Sequence, residues 1–387
     1  MRNSKNNDLF EIIRLSLWKE GNPRVSVSTL EEMKLHAIAA LPGSVIATLD
    51  LPPDLLYEWK KIIIQVVTTN INYEYVQSQL PVRIPYVILK GTSAAQYYPY
   101  PEYRTMGDID IMTSHENYET ACKMTIDDAW RDITSSSELK RGRHRTFEKN
   151  GFNLEIHAYF ASMNNPEKAK NFDDIIIENI GEKHILPDLV NGLVLLEHIN
   201  QHLEEGLGLR QIIDWMMFVN KCLPDTKWDT FRELTERTGL TRLAVITTRM
   251  CEIYLGLKSH QWCSNVKEEL CHSLMDYVLK CGNFGNKLNR SETIAVSRSH
   301  RLKHPIWVIR DLQKRGIERW DENSPRILKP FAWIGQGCQV LKENNVLELK
   351  SKESKKMNAL FKSLGIKRSN DGLVYFENGE YVVKKDS

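Results

Sequence analysis

YVILKG (residues 86–91) and GDIDIMT (residues 107–113) are the two stretches of sequence that decide the fold. The first is a short apolar run that ends in glycine, and in the second polar and apolar residues alternate. Both patterns are typical of β-strands, and the residues after Gly91 are compatible with a helix. The sequence therefore predicts a strand-helix-strand unit, followed by a helix in ENYETACKMTIDDAW (residues 116–130).

A β-hairpin is indicated by Asn150-Gly151, which separates HRTFEK (residues 144–149) from FNLEIHAYF (residues 152–160). The two-residue turn fixes the register, and the predicted cross-strand pairs are Phe147 with Leu154, Thr146 with Glu155, and His144 with His157. Alternation along the second strand predicts a core-facing side and a polar side. The first contains Phe152, Leu154, Ile156 and Phe160, and the second contains Asn153, Glu155, His157 and Tyr159.

The residues before this unit have helical patterns. An amphipathic stretch runs from about Leu9 to Trp18, and Ser28 with Glu31 three residues later predicts a capping box at the start of a second helix. Pro52-Pro53-Asp54 predicts the start of a third helix, which extends to about Gln79.

Helical patterns return from about Leu186 to Leu349, with an apolar stripe that contains Leu189, Leu193, Leu196, Ile199 and Leu203. Residues 351–370 are rich in Lys and Ser and predict a solvated connection. Asn378-Gly379 between LVYFE and EYVVK then indicates a second hairpin.

These patterns predict an α+β fold, in which a small sheet with flanking helices is embedded between two helical regions. The expected organisation is an N-terminal helical region at 1–80, a core at 81–185, a C-terminal helical domain at 186–350, and a charged connection with a terminal hairpin at 351–387.

Composition bounds the class of protein. The 387 residues are 42% hydrophobic and 26% charged, which is typical of a globular protein. Because 52 Lys and Arg nearly balance 50 Asp and Glu, the whole chain gives no strong nucleic-acid or membrane signal. The seven cysteines are scattered and never form C-x-x-C, and no apolar stretch is long enough for a membrane span. We therefore expect a reduced, cytoplasmic protein.

Asp108 and Asp110 are the strongest candidates for a metal site. One residue separates them, so a strand would place both carboxylates on the same face, where they repel each other unless a cation lies between them. Oxygen ligands favour Mg²⁺ or Mn²⁺ over zinc. Glu155 would add a third carboxylate. Two surface acids at a strand end and an ordinary solvent-facing strand would produce the same patterns equally well.

Gly91, Thr92 and Ser93 follow the first strand directly and are predicted to open a helix. Free backbone N–H groups and hydroxyls at such a position bind phosphate oxygens.

LKGTSAAQYYPYPEYRTMGDIDIMT (residues 89–113), followed by NLEIHAYF (residues 153–160), resembles the bacterial nucleotidyltransferases of the DNA polymerase β-like superfamily. The resemblance extends over about residues 10 to 345 and includes HINQHLEEGLGLRQIIDW (residues 198–215). It implies a mixed nucleotidyltransferase sheet and transfer of a nucleoside monophosphate from an NTP to an acceptor, with release of pyrophosphate.

The resemblance also implies roles for particular residues. Asp108 and Asp110 would hold the Mg²⁺ or Mn²⁺ ion that carries the triphosphate, and Asp110 and Glu155 would hold a second ion. Lys90 and Arg104 would lie near phosphate, together with Gly91, Thr92 and Ser93. The acceptor stays open between a small molecule, a peptide and RNA. A catalytically silent nucleotide- or partner-binding module and a toxin-like enzyme acting on tRNA are the alternatives.

His198 and His202 are four residues apart on a predicted helix, at positions that point away from its apolar stripe. A zinc site is disfavoured because no Glu follows the first histidine and no third ligand is apparent. In similar proteins this stretch recurs with Arg210 and Asp214, so these four residues, with His157, are possible cleft residues. A plain i, i+4 salt bridge between Arg210 and Asp214 is an equally good interpretation.

SRSHRLKHPIWVIRDLQKRGIERW (residues 297–320) is the most basic stretch, with two interleaved tryptophans. Acidic residues interrupt it, so a solvated helix face is favoured over RNA binding.

Overall fold

The computed structural model describes residues 4–163, 165–203, 205–288, 357, 359–365, 373–377 and 380–384. The N-terminal region consists of three helices, namely α1 (Ser4–Trp18), α2 (Val27–Leu35) and α3 (Pro53–Ser78). The sheet contains β1 (Tyr86–Leu89), β2 (Ile109–Thr113), β3 (Arg131–Asp132), β4 (His144–Lys149) and β5 (Phe152–His157). Among these strands lie α4 (Gly91–Ala95), α5 (Tyr118–Asp127) and α6 (Ser136–Arg141).

The described part of the C-terminal region is mainly helical. It contains α7 (Pro166–Ile177), α8 (Asp188–His202), α9 (Leu209–Cys222), α10 (Trp228–Thr238), α11 (Thr241–Leu255) and α12 (Glu268–Cys281). Residues 359–363 are also helical, and β6 (Leu373–Glu377) pairs with β7 (Glu380–Lys384). The predicted α+β class, with a small mixed sheet and flanking helices, is confirmed.

The capping box predicted at Ser28 is wrong. Helix α2 begins at Val27, and Ser26 is its N-cap, with extended backbone angles and an N–H that donates to Thr29 Oγ1 at 3.2 Å. Ser28 therefore already lies in the first helical turn. Glu31 forms an ion pair with Lys34 at 2.7 Å instead.

The five-stranded sheet has the order β1-β2-β5-β4-β3. Only β2 and β5 run parallel, and this pairing places Asp110 directly beside Glu155. The predicted hairpin register is confirmed, because Phe147 pairs with Leu154, Thr146 with Glu155, and His144 with His157.

The alternation predicted as far as Phe160 is wrong at its end. Strand β5 stops at His157, where the N–H groups of Ala158 and Tyr159 both donate to the carbonyl of Arg143. The chain turns at this point, and both Tyr159 and Phe160 are buried.

Helix α8 is buried around most of its circumference. Every residue from Val190 to Ile199 is buried, because the helix packs against α4, α9 and α10 at once. Gly192 permits the crossing with α9, since a Cβ atom there would lie 2.1 Å from the Phe218 ring. The prediction that His198 points away from the packing surface is therefore wrong: this residue is only 4% exposed.

The two helical regions share one hydrophobic core. Helix α1 packs against α11, and Trp18 Nε1 donates to the carbonyl of Leu255 at 2.6 Å. The solvated connection predicted at 351–370 is wrong for Leu360, Phe361 and Leu364, whose side chains are buried in this core. Burial of these three apolar side chains determines the position of this segment, although Lys and Ser residues surround them in the sequence.

Other predictions fall partly outside the description. The basic stretch 297–320, the rest of the predicted helical region up to 349, and the turn residues Asn378-Gly379 lie outside the described residues. The pairing of Glu377 with Glu380 nevertheless confirms the second hairpin. Of the helices that the structure describes, none combines the length and hydropathy needed to cross a membrane. The six described cysteines are buried, and no disulfide joins any two of them.

His36 provides a test of how the helices pack. Its side chain is fully buried, its Nδ1 accepts the N–H of Leu209 at 3.3 Å, and its Nε2 lies 4.0 Å from Glu32. Burial, assisted by the charge of Lys287, lowers its pKa from 6.5 to about 3. The folded protein therefore holds the neutral ring.

Because the pKa of His36 is lower in the folded than in the unfolded state, its stabilising contribution is complete above pH 6.5 and is lost as the pH falls toward 3. We expect the free energy of unfolding to fall by about 1.4 kcal/mol per pH unit more steeply in the wild type than in His36→Gln over this window. Urea unfolding at successive pH values measures this difference. Parallel curves for the two proteins would contradict it.

Candidate functional site

Three carboxylates meet at the β2–β5 pair, in the interior of the five-stranded sheet. Asp110 on β2 lies beside Glu155 on β5, and Asp108 immediately precedes β2. One oxygen atom from each of the three lies within 4.8 Å of the others. The Asp110 side chain is buried and that of Glu155 is 22% exposed. The structure thus brings together the three residues that the sequence predicted as metal ligands.

Two basic groups lie against these carboxylates. Lys90 Nζ is 2.8 Å from Asp110 Oδ1, and His157 Nε2 is 3.0 Å from the same oxygen and 3.4 Å from Glu155 Oε2. His157, predicted as a possible cleft residue, therefore belongs to the centre of the cluster. Lys90 reaches it from the turn after β1, on the neighbouring strand.

The turn between β1 and α4 has an unusual backbone. Lys90 has φ 53° and Gly91 has φ 38°, both in the left-handed region. A Cβ atom at Gly91 would lie 2.8 Å from the hydroxyl of Tyr73, and this hydroxyl donates to the carbonyl of Asp108. A glycine at 91 therefore allows Tyr73 of α3 to hold the residue that begins the acidic cluster.

The charges in the cluster stabilise one another. Burial lowers the pKa of Lys90, but the carboxylates of Asp110, Asp108 and Glu155 outweigh burial and raise it. His157 behaves in the same way: burial lowers its pKa, and hydrogen bonds to Asp110 and Glu155 raise it overall.

Glu155 shows the opposite shift. Burial raises the pKa of Glu155, but the hydrogen bond from His157 and the nearby positive charges hold it at about 2. A carboxylate that stays ionised at neutral pH and close to two others is the donor set that Mg²⁺ and Mn²⁺ prefer. The residues therefore fit a divalent ion.

In the turn predicted to bind phosphate, the side-chain hydroxyl groups form hydrogen bonds within the protein. Helix α4 is only five residues long. The Thr92 hydroxyl donates to Gln77 Oε1 at 3.0 Å, and the Ser93 hydroxyl donates to the carbonyl of Lys90 at 2.6 Å. A phosphate role for Gly91, Thr92 and Ser93 stays a prediction, in which the hydroxyls would have to exchange partners.

The ion pair of Asp214 is with Arg104. Arg104 Nε donates to Asp214 Oδ1 and Nη2 donates to Oδ2, each at 2.7 Å. The Tyr98 hydroxyl also donates to Oδ1, at 2.7 Å. All three side chains are buried. The simple helix-surface salt bridge between Arg210 and Asp214 is therefore wrong, because the loop before β2 inserts Arg104 at Asp214. A phosphate at Arg104 would have to compete with this carboxylate.

Arg210 is a buried cation without a carboxylate partner among the residues that the structure describes. The residue is 9% exposed and Nε has no hydrogen-bond partner, while Nη1 donates to the carbonyl of Thr105 at 3.4 Å and the guanidinium carbon lies 5.6 Å from the centre of the Phe284 ring. Burial, and then the charge of Arg104, lowers its pKa. A Cβ at Gly107 would lie 3.9 Å from Nη1, so the guanidinium adjoins the Gly107-Asp108 step.

His198 and His202 form a ring cluster with Phe284. Their ring centroids are 4.6 Å apart, and that of His202 is 4.7 Å from the Phe284 ring. Burial lowers the pKa of both histidines, so both are neutral. The groups of three possible metal ligands found among the described residues do not include this pair.

The comparison with protein families agrees with this geometry. A family model described as an uncharacterised nucleotidyltransferase matches residues 28–256, which is 229 of the 387 residues. The chain belongs to this nucleotidyltransferase family. The match spans α2 to α11 and contains every residue of the carboxylate cluster, so the resemblance inferred from the motifs is confirmed. No curated protein and no solved structure gave a significant match.

Sequence reasoning missed Tyr73, named Arg210 only as a possible cleft residue, and paired His144 with His157 without giving His144 a role. No sequence pattern pointed to Tyr73, because its contact with Asp108 joins residues that are distant in the sequence. Arg210 was noted, but its lack of a carboxylate partner depends on how Arg104 folds. His144 did have a signal, because the hairpin register places it opposite His157.

Breaking the Arg104–Asp214 pair tests its structural role. We expect Asp214→Asn to lower the free energy of unfolding by about 3–5 kcal/mol, because it leaves a buried guanidinium without its charge partner. The double variant Arg104→Met/Asp214→Leu should recover most of this loss. Chemical denaturation of the single and double variants measures both effects. Equal stability of Asp214→Asn and wild type would show that the pair is not needed for folding.

Proposed function

We propose that the protein transfers a nucleoside monophosphate from an NTP to an acceptor. The observation that carries this proposal is the cluster of Asp108, Asp110 and Glu155 in a chain of a nucleotidyltransferase family. The acceptor oxygen or nitrogen would form a bond to the α-phosphorus, the bond from that phosphorus to the bridging oxygen would break, and pyrophosphate would leave. The acceptor loses one proton in the exchange.

Asp108, Asp110 and Glu155 would hold Mg²⁺ or Mn²⁺. When bound, such an ion neutralises phosphate charge and makes an acceptor hydroxyl more acidic. The protein's own contribution is to preorganise the ligands: the β2–β5 register fixes Asp110 beside Glu155, and Tyr73 fixes the carbonyl of Asp108. Such preorganisation lowers the energy needed to assemble the site.

Lys90 and Arg210 would supply positive charge to the nucleotide. Lys90 already faces Asp110, and Arg210 adjoins the Gly107-Asp108 step without a carboxylate partner among the described residues. An unpaired buried cation is unfavourable in the free protein and becomes favourable when an anion binds. We therefore assign the main phosphate contact to Arg210 rather than to Arg104.

A catalytically silent nucleotide-binding module is the second candidate. It is favoured by the engagement of Asp110 Oδ1 with both Lys90 and His157, and by the occupied hydroxyls of Thr92 and Ser93. A toxin-like enzyme acting on tRNA is the special case in which RNA is the acceptor. Incubation with each α-labelled NTP and a cell extract separates these candidates: labelled RNA, a labelled small molecule or peptide, or nucleotide binding without transfer.

Asp110→Asn is the direct test of the transferase. We expect label transfer to fall by at least about 100-fold with the fold intact, because the amide removes a charged ligand from the centre of the cluster. Asp127→Asn, on the exposed face of α5, is the matched control and should leave transfer unchanged. Circular dichroism checks folding of both. Full activity of Asp110→Asn would refute the assignment.

Arg210→Met tests the phosphate contact through two opposite effects. We expect NTP affinity, measured by calorimetry, to fall by about tenfold to hundredfold, because charge-assisted hydrogen bonds are lost. The free energy of unfolding without nucleotide should stay the same or rise, because an uncompensated buried charge is removed. Arg210→Lys should restore part of the affinity. Reduced stability with unchanged affinity would mean that Arg210 is structural.

A further inference from the structure

A second group of possible metal ligands lies beside the carboxylates, on the same face of the sheet. It consists of His144, Glu155 and His157, and one ligand atom from each lies within 4.8 Å of the others. We propose that these three residues form a site for a divalent transition-metal ion such as Zn²⁺, distinct in ligand chemistry from the all-carboxylate site and sharing Glu155 with it.

The hairpin geometry builds this site. His144 on β4 is paired directly with His157 on β5, and their ring centroids are 5.1 Å apart. Glu155 is two residues before His157 and therefore lies on the same side of β5. The two-residue turn at Asn150-Gly151 fixes this register, so the three ligands come from one rigid element rather than from mobile loops.

Three of the four imidazole nitrogen atoms in this cluster have no hydrogen-bond partner among the described residues, the exception being His157 Nε2. Both ring nitrogens of His144 are buried and make no hydrogen bond, and Nδ1 of His157 is in the same state. His144 Nε2 lies 4.0 Å from Glu155 Oε1 and 3.5 Å from Glu138 Oε1, too far for good hydrogen bonds. Buried polar atoms without partners are rare in folded proteins. Their concentration at one point indicates a group that binds there.

The ligand types decide which ion binds. Two imidazoles and one carboxylate suit zinc and its neighbours in the first transition series, whereas Mg²⁺ strongly prefers oxygen. Glu138 is the nearest further carboxylate to His144, and its Oε2 is held by the N–H of Ser135 at 3.1 Å at the start of α6. Its Oε1 is thus oriented toward the histidine from outside the sheet.

The two ion sites are linked through His157. Its Nε2 either shares a proton with Asp110 and Glu155 or ligates an ion, since one lone pair cannot do both. When a transition metal binds, the nitrogen–metal bond replaces the nitrogen–proton bond, and the proton leaves to solvent. Glu155 then bridges a site of carboxylates and a site rich in imidazole.

Cobalt is the probe of choice, because Co²⁺ bound to imidazole nitrogen absorbs visible light whereas the Mg²⁺ complex does not. The full-length protein, freed of metal with a chelator, is titrated with Co²⁺ and then with Zn²⁺ or excess Mg²⁺. We expect Co²⁺ to give the wild type a visible absorption band, called here the cobalt band. Added Zn²⁺ should abolish this band, and excess Mg²⁺ should leave its intensity unchanged. Mg²⁺ displacing cobalt as readily as Zn²⁺ would overturn the proposal.

Three variants separate this site from the carboxylate site. His144→Ala should lower cobalt affinity by at least about tenfold, while Asp108→Asn and the same-face control Thr146→Ala should bind cobalt like the wild type. His144→Gln, checked by circular dichroism, repeats the test with a bulkier neutral side chain. Unchanged affinity in folded His144→Ala and His144→Gln would refute the site, as would loss of the band in Asp108→Asn alone.

The outcome is independent of the proposed function, because the readout needs no nucleotide. Cobalt binding in a protein that never transfers label would support this site and contradict the transferase. Label transfer by a protein that shows no cobalt band would support the transferase and contradict the transition-metal site.

Discussion

Electrostatic repulsion between clustered carboxylates is the constraint on which the site depends. The parallel pairing of β2 and β5 places Asp110 beside Glu155, and a strand start adds Asp108. Such a cluster is tolerated only with compensating positive charge. In this structure Lys90 and His157 supply it, each within 3.0 Å of Asp110 Oδ1. The same three carboxylates form a group that could hold a divalent ion.

The surrounding helices hold the carboxylate-bearing part of the sheet in place. Tyr73 of α3 bonds to the backbone at Asp108, and Arg104, just before β2, is locked to Asp214 of α9. This buried pair takes the carboxylate that Arg210 would otherwise use. Arg210, which has no carboxylate partner in the described part of the chain, is therefore the cation that adjoins the acidic cluster. The helical region thus supports the sheet and also places a positive charge beside these carboxylates.

The chain after β5 is held by two buried carboxylates. Asp173 accepts the N–H groups of Phe160 and Ala161 at 2.8 and 3.1 Å, and Glu197 accepts that of Ser162 at 2.7 Å. The Phe160 ring in turn lies 5.6 Å from Lys90 Nζ. Tyr381 of β7 donates to Asp173 at 2.9 Å, so the terminal hairpin is connected to the segment that packs against the site.

The sequence by itself determined what local rules control: the helix after Pro52-Pro53, the hairpin at Asn150-Gly151 with its register, and the Asp108-Asp110 pair on one face. These depend on backbone preferences and side-chain periodicity within a few residues. Only the tertiary structure decided that Arg104 rather than Arg210 binds Asp214, and that His198 is buried. Each of these depends on which residues, distant in the sequence, pack together in the folded protein. Spacing along the chain carries no information about those long-range contacts.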